Sequence, residues 1–471
     1  MLGIGIDFGT SNSSAATFDG ETLRMIPIDA AARTPDVMPT ALYLDRKLAA
    51  TVGQGAIDTY LRANANRRIT LERENIGQLA MHVASTDQSK DPSGADGIAV
   101  QMQVHAYTDR GLPGRLFRGV KRWLGTASLD HVRVFDRRFR LVALVTPVLS
   151  HLVEASRAHP TARTYIGRPV HYEGSGPDSD AVALHRMDEA CGHAGLRERT
   201  LHPEPIAAAL SYLHRVPDAQ DQVLLAFDFG GGTLDCALLR CRASGSGDAA
   251  ARSEVLATHG IGLGGDEINR MIYRAKVFPE LGEGLTHRIP VVDELRSVSF
   301  PFDRFADRLL NWSLAYELNR PELRELMAQA MRESADARRR LTRLFELVTR
   351  NQAYQVFQAI ERAKVELSSH DTARIELDEI DLDVELSRAE LERILAPAFE
   401  RIERCVDAVL RAAGIGADQV DHVVSTGGSS FIPAVVRLLE ARFPRRVVAH
   451  DPFTSIAAGL AIASYHGRKS E

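Results

Sequence analysis

The feature that most constrains this chain occurs twice, as an Asp-Phe-Gly tripeptide at the end of an apolar run. The first copy, residues 7–9, follows residues 2–6, and the second, residues 228–230, follows residues 223–227. In both places small or hydroxyl residues come next and a second apolar run then begins. That pattern predicts strand, tight turn and strand, which is a β-hairpin. A repeat of such long period predicts two similar lobes that each offer one hairpin to a shared ligand.

The turn of the second copy has the composition of an anion site. Its three successive glycines, residues 230–232, expose backbone N–H groups, and Thr233 adds a hydroxyl. Asp228 at the edge of the turn would repel a phosphate unless a divalent cation lay between them. The chain leaves the glycines as a strand, whereas a P-loop or a dinucleotide-binding motif would continue as a helix. We therefore predict a site for phosphate together with Mg²⁺.

Size and composition indicate a soluble protein of several domains. The 471 residues exceed one ordinary core, and the apolar and charged fractions of 45% and 25% are those of soluble proteins. A net charge of −5 argues against general nucleic-acid binding. We expect neither a membrane span nor a signal peptide, because no apolar stretch is long enough and Asp7 interrupts the N-terminal one. The four scattered cysteines suit the cores of a reduced, cytoplasmic protein.

Lysine is scarce in this chain, which makes each lysine informative. Only six of the 57 basic residues are lysine, so a lysine at a candidate site stands out against arginine. Lys121 lies in the segment VKRWLG and is one such residue. The alternative interpretation of Lys121 is a solvated side chain beside Arg118 and Arg122.

Local patterns predict several elements outside the hairpins. Helical spacing of apolar residues predicts a helix within residues 53–84, and proline with glycine predicts a loop over residues 85–97. Residues 322–368 are rich in helix-forming side chains. Ser387 and Glu390 have the spacing of a capping box at the start of another helix.

Nine segments in order resemble the nucleotide-binding domain of the 70-kDa heat-shock chaperones, within the superfamily of actin, hexokinase and chaperone ATPases. They cover nearly the whole chain, and the similarity is greatest to a divergent bacterial branch that carries this domain alone. The segments are IGIDFGTSNS at 4–13, VKRWLG at 120–125, YIGRPV at 165–170, PEPIAAALSY at 203–212, FDFGGGTLD at 227–235, GLGGDEIN at 262–269, AIERAKVELSS at 359–369, VVSTGGSSFIP at 423–433 and DPFTSIAAGLA at 451–461.

The resemblance implies an α/β protein with the actin-like ATPase fold. This fold has two lobes, each with a duplicated ribonuclease-H-like mixed sheet flanked by helices, and it binds nucleotide in the central cleft. We expect lobe I at residues 1–218 and lobe II at residues 219–449, with a helical subdomain at about 266–370. A C-terminal helix within residues 450–471 would return to lobe I. The implied cofactors are ATP or ADP with Mg²⁺, and the implied partner is another protein.

At the phosphates the resemblance implies individual roles. Asp7 and Asp228 would hold Mg²⁺ largely through its waters, and Asp228 would help to position the attacking water. Lys121 takes the position of the family's catalytic lysine, where a cation neutralises charge on the transferred phosphoryl group. Glu204, fixed between two prolines, would orient water and metal, with a plain rim carboxylate as the alternative. Thr233 completes the implied catalytic set.

The other implied contacts belong to the nucleotide itself. Both hairpin turns and a separate pair of glycines would surround the phosphates. One face of a helix, together with a further glycine segment, would contact the nucleoside. An ordinary charged helix surface is the alternative for that face. The implied residues are Gly9, Thr10, Ser11, Asn12, Gly230, Gly231, Gly232, Gly264 and Gly265 for the phosphates, and Glu361, Lys364, Ser368, Gly427, Gly428, Ser429, Phe431 and Asp451 for the nucleoside and hinge.

The chain departs from the family pattern in three places. The family holds adenine between two arginines, but Val365 and Phe431 stand there, so we expect weaker or less base-selective binding without the cation–π component. Pro169 matches a proline that couples nucleotide state to a partner domain, yet the following segment is longer, glycine-rich and without a clear relay arginine. We expect no linker, β-sandwich or lid after Tyr465, so peptide binding is not implied. The helical residues 322–358 are a candidate partner surface.

Three functions agree with these patterns. The first is a slow ATPase of the heat-shock chaperone type, whose lobe closure signals to another protein. The second is a small-molecule, sugar-type kinase, which shares the double hairpin and would use Asp228 as a general base. The third is a nucleotide-gated binding module or filament former with negligible turnover. Residues 359–369 and 427–433 favour the first, and the oligomeric state is not indicated.

Overall fold

The computed structural model describes residues 2–65, 67–83, 98–157, 163–174, 178–216, 221–242, 253–291 and 294–467. The loop predicted at residues 85–97 and the lobe boundary predicted after residue 218 lie outside these ranges. The strands are β1 (Gly3–Phe8), β2 (Asn12–Phe18), β3 (Leu23–Met25), β4 (Met38–Pro39), β5 (Ala41–Asp45), β6 (Ala50–Val52), β7 (Leu71–Val83), β8 (Ile98–Asp109), β9 (Gly114–Arg118), β10 (His131–Val134), β11 (Arg137–Arg140), β12 (Thr164–Arg168), β13 (Arg199–Pro203), β14 (Gln222–Phe229), β15 (Leu234–Cys241), β16 (Ser253–Ile261), β17 (Thr286–Val291), β18 (Glu294–Ser299), β19 (Thr372–Leu377), β20 (Leu382–Ser387), β21 (His422–Thr426) and β22 (Val447–Ala449).

The helices lie between and after these strands in the chain, and four of the described ones follow one another between β18 and β19. They are α1 (Gly53–Asn64), α2 (Leu141–Ala155), α3 (Ser179–His193), α4 (Glu204–Arg215), α5 (Gly265–Ile272), α6 (Asp303–Leu309), α7 (Pro321–Ala330), α8 (Ala335–Thr349), α9 (Ala353–Glu366), α10 (Arg388–Ala413), α11 (Pro433–Arg442) and α12 (Ser455–His466).

Two sheets of the same topology organise the chain. The first has the order β13-β12-β1-β2-β3, with β4 also paired to β2, and the second has the order β22-β21-β14-β15-β16. In each sheet the first three strands are parallel, and the hairpin and its neighbour are antiparallel. Each repeated tripeptide lies where the central strand of its sheet ends, and that strand is also the first strand of a hairpin. The predicted fold class, an α/β protein with a duplicated mixed sheet, is confirmed.

The central strands are apolar because helices cover them. Every residue of β1 is buried, as are the last six of β14, which is typical of strands with parallel neighbours inside a sheet. The last helix, α12, packs directly on β1 of the first sheet. A Cβ atom added to Gly5 would lie 2.2 Å from the carbonyl oxygen of Ala457, and one added to Gly459 would lie 1.7 Å from that of Ala207. Only glycine permits these approaches.

One local prediction was wrong and one was confirmed. The predicted helix over residues 53–84 ends at Asn64, and Leu71–Val83 is instead a strand that pairs with β8. Its ladder of hydrogen bonds to β8, the next strand along the chain, outweighs local spacing. The predicted capping box is present, because Ser387 Oγ accepts from the backbone of Glu390 while the Glu390 carboxylate accepts from the Ser387 N–H at 2.9 Å.

The surface and the core bear on two further expectations. Across the described part of the chain, no helix is both long and apolar enough to cross a membrane. All four cysteines are buried in the core, as predicted. The residue bounds predicted for the two lobes stay predictions.

Candidate functional site

The two hairpin turns face each other. A Cβ atom added to Gly231 would lie 2.0 Å from the Ser11 hydroxyl oxygen, and one added to Gly232 would lie 2.7 Å from that of Thr10. The turn between β1 and β2 therefore touches the turn between β14 and β15. The structure brings together the two copies of the repeat, as a shared ligand would require.

Carboxylates from both sheets converge behind these turns on one lysine. Asp7 ends β1, Asp228 lies on β14, and Glu204 begins α4, and all three are buried. Lys121 lies on the single helical turn Val120–Trp123 and donates to Glu204 Oε1 at 2.5 Å. These four residues, predicted from separate segments, form one buried charged cluster.

Burial and mutual repulsion change the pKa values in this cluster. Burial, aided by the charge of Glu204, raises the pKa of Asp7 to about 8. Burial also raises the pKa of Asp228, and the nearby Glu204 adds to that effect. For Lys121, burial lowers the pKa, but Glu204 and Asp7 outweigh it and the net shift is upward. The carboxyl groups outnumber the lysine, so a bound cation would stabilise their ionised forms.

A fourth carboxylate, Asp235, belongs to the cluster and was not among the predicted site residues. It lies on β15 directly opposite Asp228 in the ladder, and its Oδ1 accepts from the Val170 N–H at 2.8 Å. Burial and the charge of Glu204 raise its pKa to about 7. Its position two residues after Thr233, on the same face of the strand, was the signal available in the sequence.

The cluster fits a hydrated cation better than a directly ligated one. Within the described part of the chain, Asp7 Oδ1 and Asp235 Oδ2 are buried without a hydrogen-bond partner. Among the described residues, no group of three or more His, Cys, Asp or Glu side chains is close enough to hold a metal ion directly. Mg²⁺ commonly retains several of its waters and uses few protein oxygens. The donor set therefore agrees with Mg²⁺ held by Asp7 and Asp228 through water.

Hydrogen bonds from the start of α5 and from a serine hold the glycine turn of residues 230–232 in place. The N–H groups of Gly265 and Asp266 donate to the carbonyl oxygens of Gly230 and Gly231 at 3.0 and 2.9 Å. Ser429 Oγ also donates to the Gly230 carbonyl oxygen, at 2.9 Å. The close approach needs glycine, because a Cβ atom on Gly264 would lie 2.4 Å from the Gly231 carbonyl oxygen.

Two further glycines line the other side of the turn. Gly427 has a left-handed φ of +80°, and an added Cβ atom would lie 2.7 Å from Asp228 Oδ1. An atom added to Gly428 would lie 3.4 Å from the exposed ring of Phe453. The turn residues Gly9, Asn12 and Thr233 lie at the ends of the paired hairpin strands.

Of the three residues predicted on one face of a helix, Glu361 and Lys364 contact each other and Ser368 does not join them. Lys364 Nζ donates to Glu361 Oε2 at 2.8 Å and to Asn269 Oδ1 at 3.1 Å, and Asn269 also donates to Glu361. Burial raises the pKa of Glu361, but Lys364 outweighs it and the net shift is downward. Ser368 is exposed and donates to the Val365 carbonyl oxygen at 2.5 Å. Asn269 was not predicted.

The two residues predicted to contact the base are apolar and exposed. Val365 and Phe431 are 61% and 41% exposed. Asp451 has a structural explanation, because its Oδ1 accepts from the N–H groups of Phe453 and Thr454 at 3.0 and 2.9 Å just before α12. Burial raises the pKa of Asp451, but those N–H groups outweigh it and the net shift is downward.

Two arginines beside Lys121 reach across to the second half of the chain. Arg118 donates to Tyr354 Oη at 3.1 Å and lies 3.4 Å from the carbonyl oxygen of Ser11. Arg122 pairs with Glu173 at 2.8 Å and with Asp266 at 3.4 Å. Local sequence patterns do not single out these arginines, since their partners are far away in the chain.

Comparison with known proteins places the similarity in one family. A family model described as Hsp70 protein matches residues 337–465. The chaperone protein DnaK of Deinococcus proteolyticus is 29% identical over 284 residues, which cover 57% of this chain and 34% of that protein. DnaK of Mycoplasmopsis pulmonis is 26% identical over 356 residues, covering 72% of this chain and 47% of that protein. The chain thus spans between a third and a half of the length of these relatives.

Proposed function

We propose that this chain, which is similar to Hsp70 proteins, binds Mg-ATP between its two sheets and hydrolyses it slowly. The observation that carries this proposal is the contact between the two glycine turns, backed by the buried cluster around Lys121. We also propose that closure of two lobes, with the bounds predicted from the sequence, signals to another protein. A client or co-chaperone is the proposed partner class, and the cytoplasmic location stays a prediction.

The chemistry assigns distinct roles to the cluster. Bound Mg²⁺ would neutralise phosphate charge, and Asp7 and Asp228 would hold it through water. Lys121 would stabilise negative charge on the transferred phosphoryl group, since phosphoryl transfer depends chiefly on positioning and electrostatics. Glu204 positions Lys121 through their hydrogen bond and would orient the attacking water with Asp228. Thr233 would contribute its hydroxyl beside the turn.

The nucleoside would bind between α9 and residues 427–431. Glu361 and Lys364 supply a polar edge for the ribose, and Asn269 fixes both of them. Val365 and Phe431 offer only apolar surface to the base, so we propose weak discrimination between purines. Titration with ATP and GTP should give dissociation constants within about tenfold of each other, a difference of ~1.4 kcal/mol. Much stronger rejection of GTP would contradict this.

Phosphate release from ATP, with no acceptor added, is the test of hydrolysis. We expect slow release by the wild type and a loss of about 10²–10³-fold in Lys121→Ala, the range seen when one electrostatic donor is removed. The matched control is Lys276→Ala, because Lys276 also forms an ion pair, with Glu390 at 2.9 Å, but away from the turns. Equal rates in all three proteins would contradict the proposal.

The same assay separates the remaining alternatives. A sugar-type kinase would release little phosphate until an acceptor alcohol was supplied. A binding module would change conformation with ATP and release none, and Lys121→Ala would then leave it unaffected. The helix and glycine segments at the nucleoside end favour hydrolysis over both.

A further inference from the structure

The Glu173 carboxylate lies between the two hairpin turns. A Cβ atom added to Gly232 would lie 2.8 Å from Glu173 Oε1 and 2.7 Å from Thr10 Oγ1, so the three residues meet at one point. The side chain is only 17% exposed. Glu173 therefore places a negative group against both turns, where a phosphate would also bind.

Arg122 holds this carboxylate in place. Its Nε lies 2.9 and 2.8 Å from the two carboxylate oxygens of Glu173, and its Nη1 lies 3.4 Å from Asp266 Oδ2 on α5. The Arg122 side chain is 16% exposed. A charged pair with so little solvent contact is screened much less than a surface ion pair. Arg122 is thus bound to an internal anion that bridges the two halves of the chain.

A nucleotide phosphate would compete with that anion directly. Glycine N–H groups and the Thr10 hydroxyl suit a phosphate, but a carboxylate beside it repels it. The planar guanidinium group of an arginine pairs equally well with a carboxylate or a phosphate. Arg122 can therefore exchange one anion for the other without a change in its own chemistry.

We propose that Glu173 is an internal competitor of the nucleotide's terminal phosphate. In the structure Glu173 pairs with Arg122, and a triphosphate would take Arg122 and displace the carboxylate from between the turns. A diphosphate lacks the terminal phosphate that competes most directly with Glu173 for Arg122. Glu173 therefore sets the preference between ATP and ADP. This inference rests on the proposed function and concerns the regulation of the same site.

Displacement of Glu173 would also reach a neighbouring segment. Val170, three residues earlier, is tied by its N–H to Asp235 in the carboxylate cluster. The chain between Val170 and Glu173 thus connects the cluster to the competing carboxylate. Exchange of anions at Arg122 would move this short segment beside Pro169 while its start stays anchored.

The test is calorimetric titration of Mg-ATP and Mg-ADP into the full chain and its variants. Glu173→Gln keeps the side-chain volume and removes the charge, so we expect about tenfold tighter ATP binding with ADP affinity changed by less than about threefold. Arg122→Gln should weaken ATP binding by a similar factor. The control is Glu189→Gln, which neutralises a carboxylate paired through both oxygens with Arg140 on the surface and should change neither affinity.

The outcomes separate this inference from the proposed function. A wild-type protein that binds neither nucleotide refutes the proposed function itself. A wild type that binds ATP while Glu173→Gln keeps the same ATP-to-ADP ratio refutes only the competition, as does an equal change in Glu189→Gln. Where thermal melting shows that Glu173→Gln does not fold, Glu173→Asp replaces it, because the shorter side chain withdraws the carboxylate and should shift the ratio in the same direction.

Discussion

Two of the contacts between the halves of the chain are opposite in character. The ionic crossing consists of Arg122, Glu173 and Asp266 beside the glycine turns. The aromatic crossing consists of Tyr60 on α1 with Trp312 and Tyr354, whose ring centroids lie 4.8–6.1 Å apart. The first is made of charges and the second of rings.

Neutral hydrogen bonds surround the aromatic crossing. Asn351 donates to Tyr60 Oη at 2.9 Å, and Asn319 donates to the Ile69 carbonyl oxygen at 2.7 Å. The Ile69 N–H donates in turn to the Thr349 carbonyl oxygen at 2.7 Å. These bonds add directional contacts to the packing, and they involve no ionised group.

The difference indicates which contact can respond to a ligand. An incoming phosphate can replace Glu173 as the partner of Arg122, but it offers nothing that replaces a buried ring. We therefore expect the ionic crossing to change with nucleotide state while the aromatic crossing holds the halves together throughout. Each prediction below changes one side of this comparison.

The largest expected effect on stability is at the aromatic crossing. Tyr354→Ala should lower the free energy of unfolding by about 3–5 kcal/mol, since it removes a buried ring from a packed cluster. Tyr354→Phe, the matched control, loses only the hydroxyl contact with Arg118 and should cost about 1 kcal/mol. Urea denaturation measures both, and a loss below about 1 kcal/mol for Tyr354→Ala would mean that the rings do not hold the halves together.

A smaller effect is expected from the carboxylates behind the ionic crossing over the interval between about pH 6.5 and 7. The pKa values of Asp7 and Asp235 are about 8 and about 7 in the folded chain, above the 3.8 of an unperturbed Asp. The folded state therefore binds more protons than the unfolded state, and stability falls as pH rises toward these pKa values, by ~1.4 kcal/mol per pH unit for each proton.

One histidine acts in the opposite direction over part of that range. Burial lowers the pKa of His450 to about 4, so its contribution to stability grows as pH rises toward 6.5. The fall should accordingly be steepest between about pH 6.5 and 7. Melting curves across pH should show a shallower slope for Asp7→Asn, and added Mg²⁺ should oppose the fall. A wild-type stability that rises over this interval would contradict these shifts.

The smallest expected effect is that of salt. Raising NaCl from about 0.05 to about 0.5 M shortens the screening length and should weaken the ionic crossing by less than about 1 kcal/mol, because the pair is largely buried. Arg122→Gln should remove part of this dependence, and Tyr354→Phe should retain it. A salt dependence that persists in Arg122→Gln and disappears in Tyr354→Phe would contradict the comparison of the two crossings.

Local patterns in the sequence were sufficient for part of this molecule. The two hairpins and the capping box at Ser387 follow from apolar runs, glycine turns and short-range spacing, whereas the fold class was predicted through resemblance. Lys121 and Glu204 were predicted through resemblance, and the structure places them in contact. These features depend on residues that are neighbours in the chain or belong to a motif.

What the sequence did not reveal depends on distant segments that meet only after folding. Asp235 acquires its place through the ladder opposite Asp228, and Glu173 through the glycine turn of the other half. No local pattern pairs Tyr60 with Trp312. The strand β7 was mistaken for helix for a different reason, because pairing with β8, the next strand along the chain, determines its conformation.

Calorimetric titration of Mg-ATP tests the central claim, that both hairpins grip one nucleotide. We predict one site per chain, weakened by Asp7→Asn and by Asp228→Asn, with the double variant losing less than the sum of the two because both act on one ligand. A trace without heat, or two losses that simply add, would contradict the account.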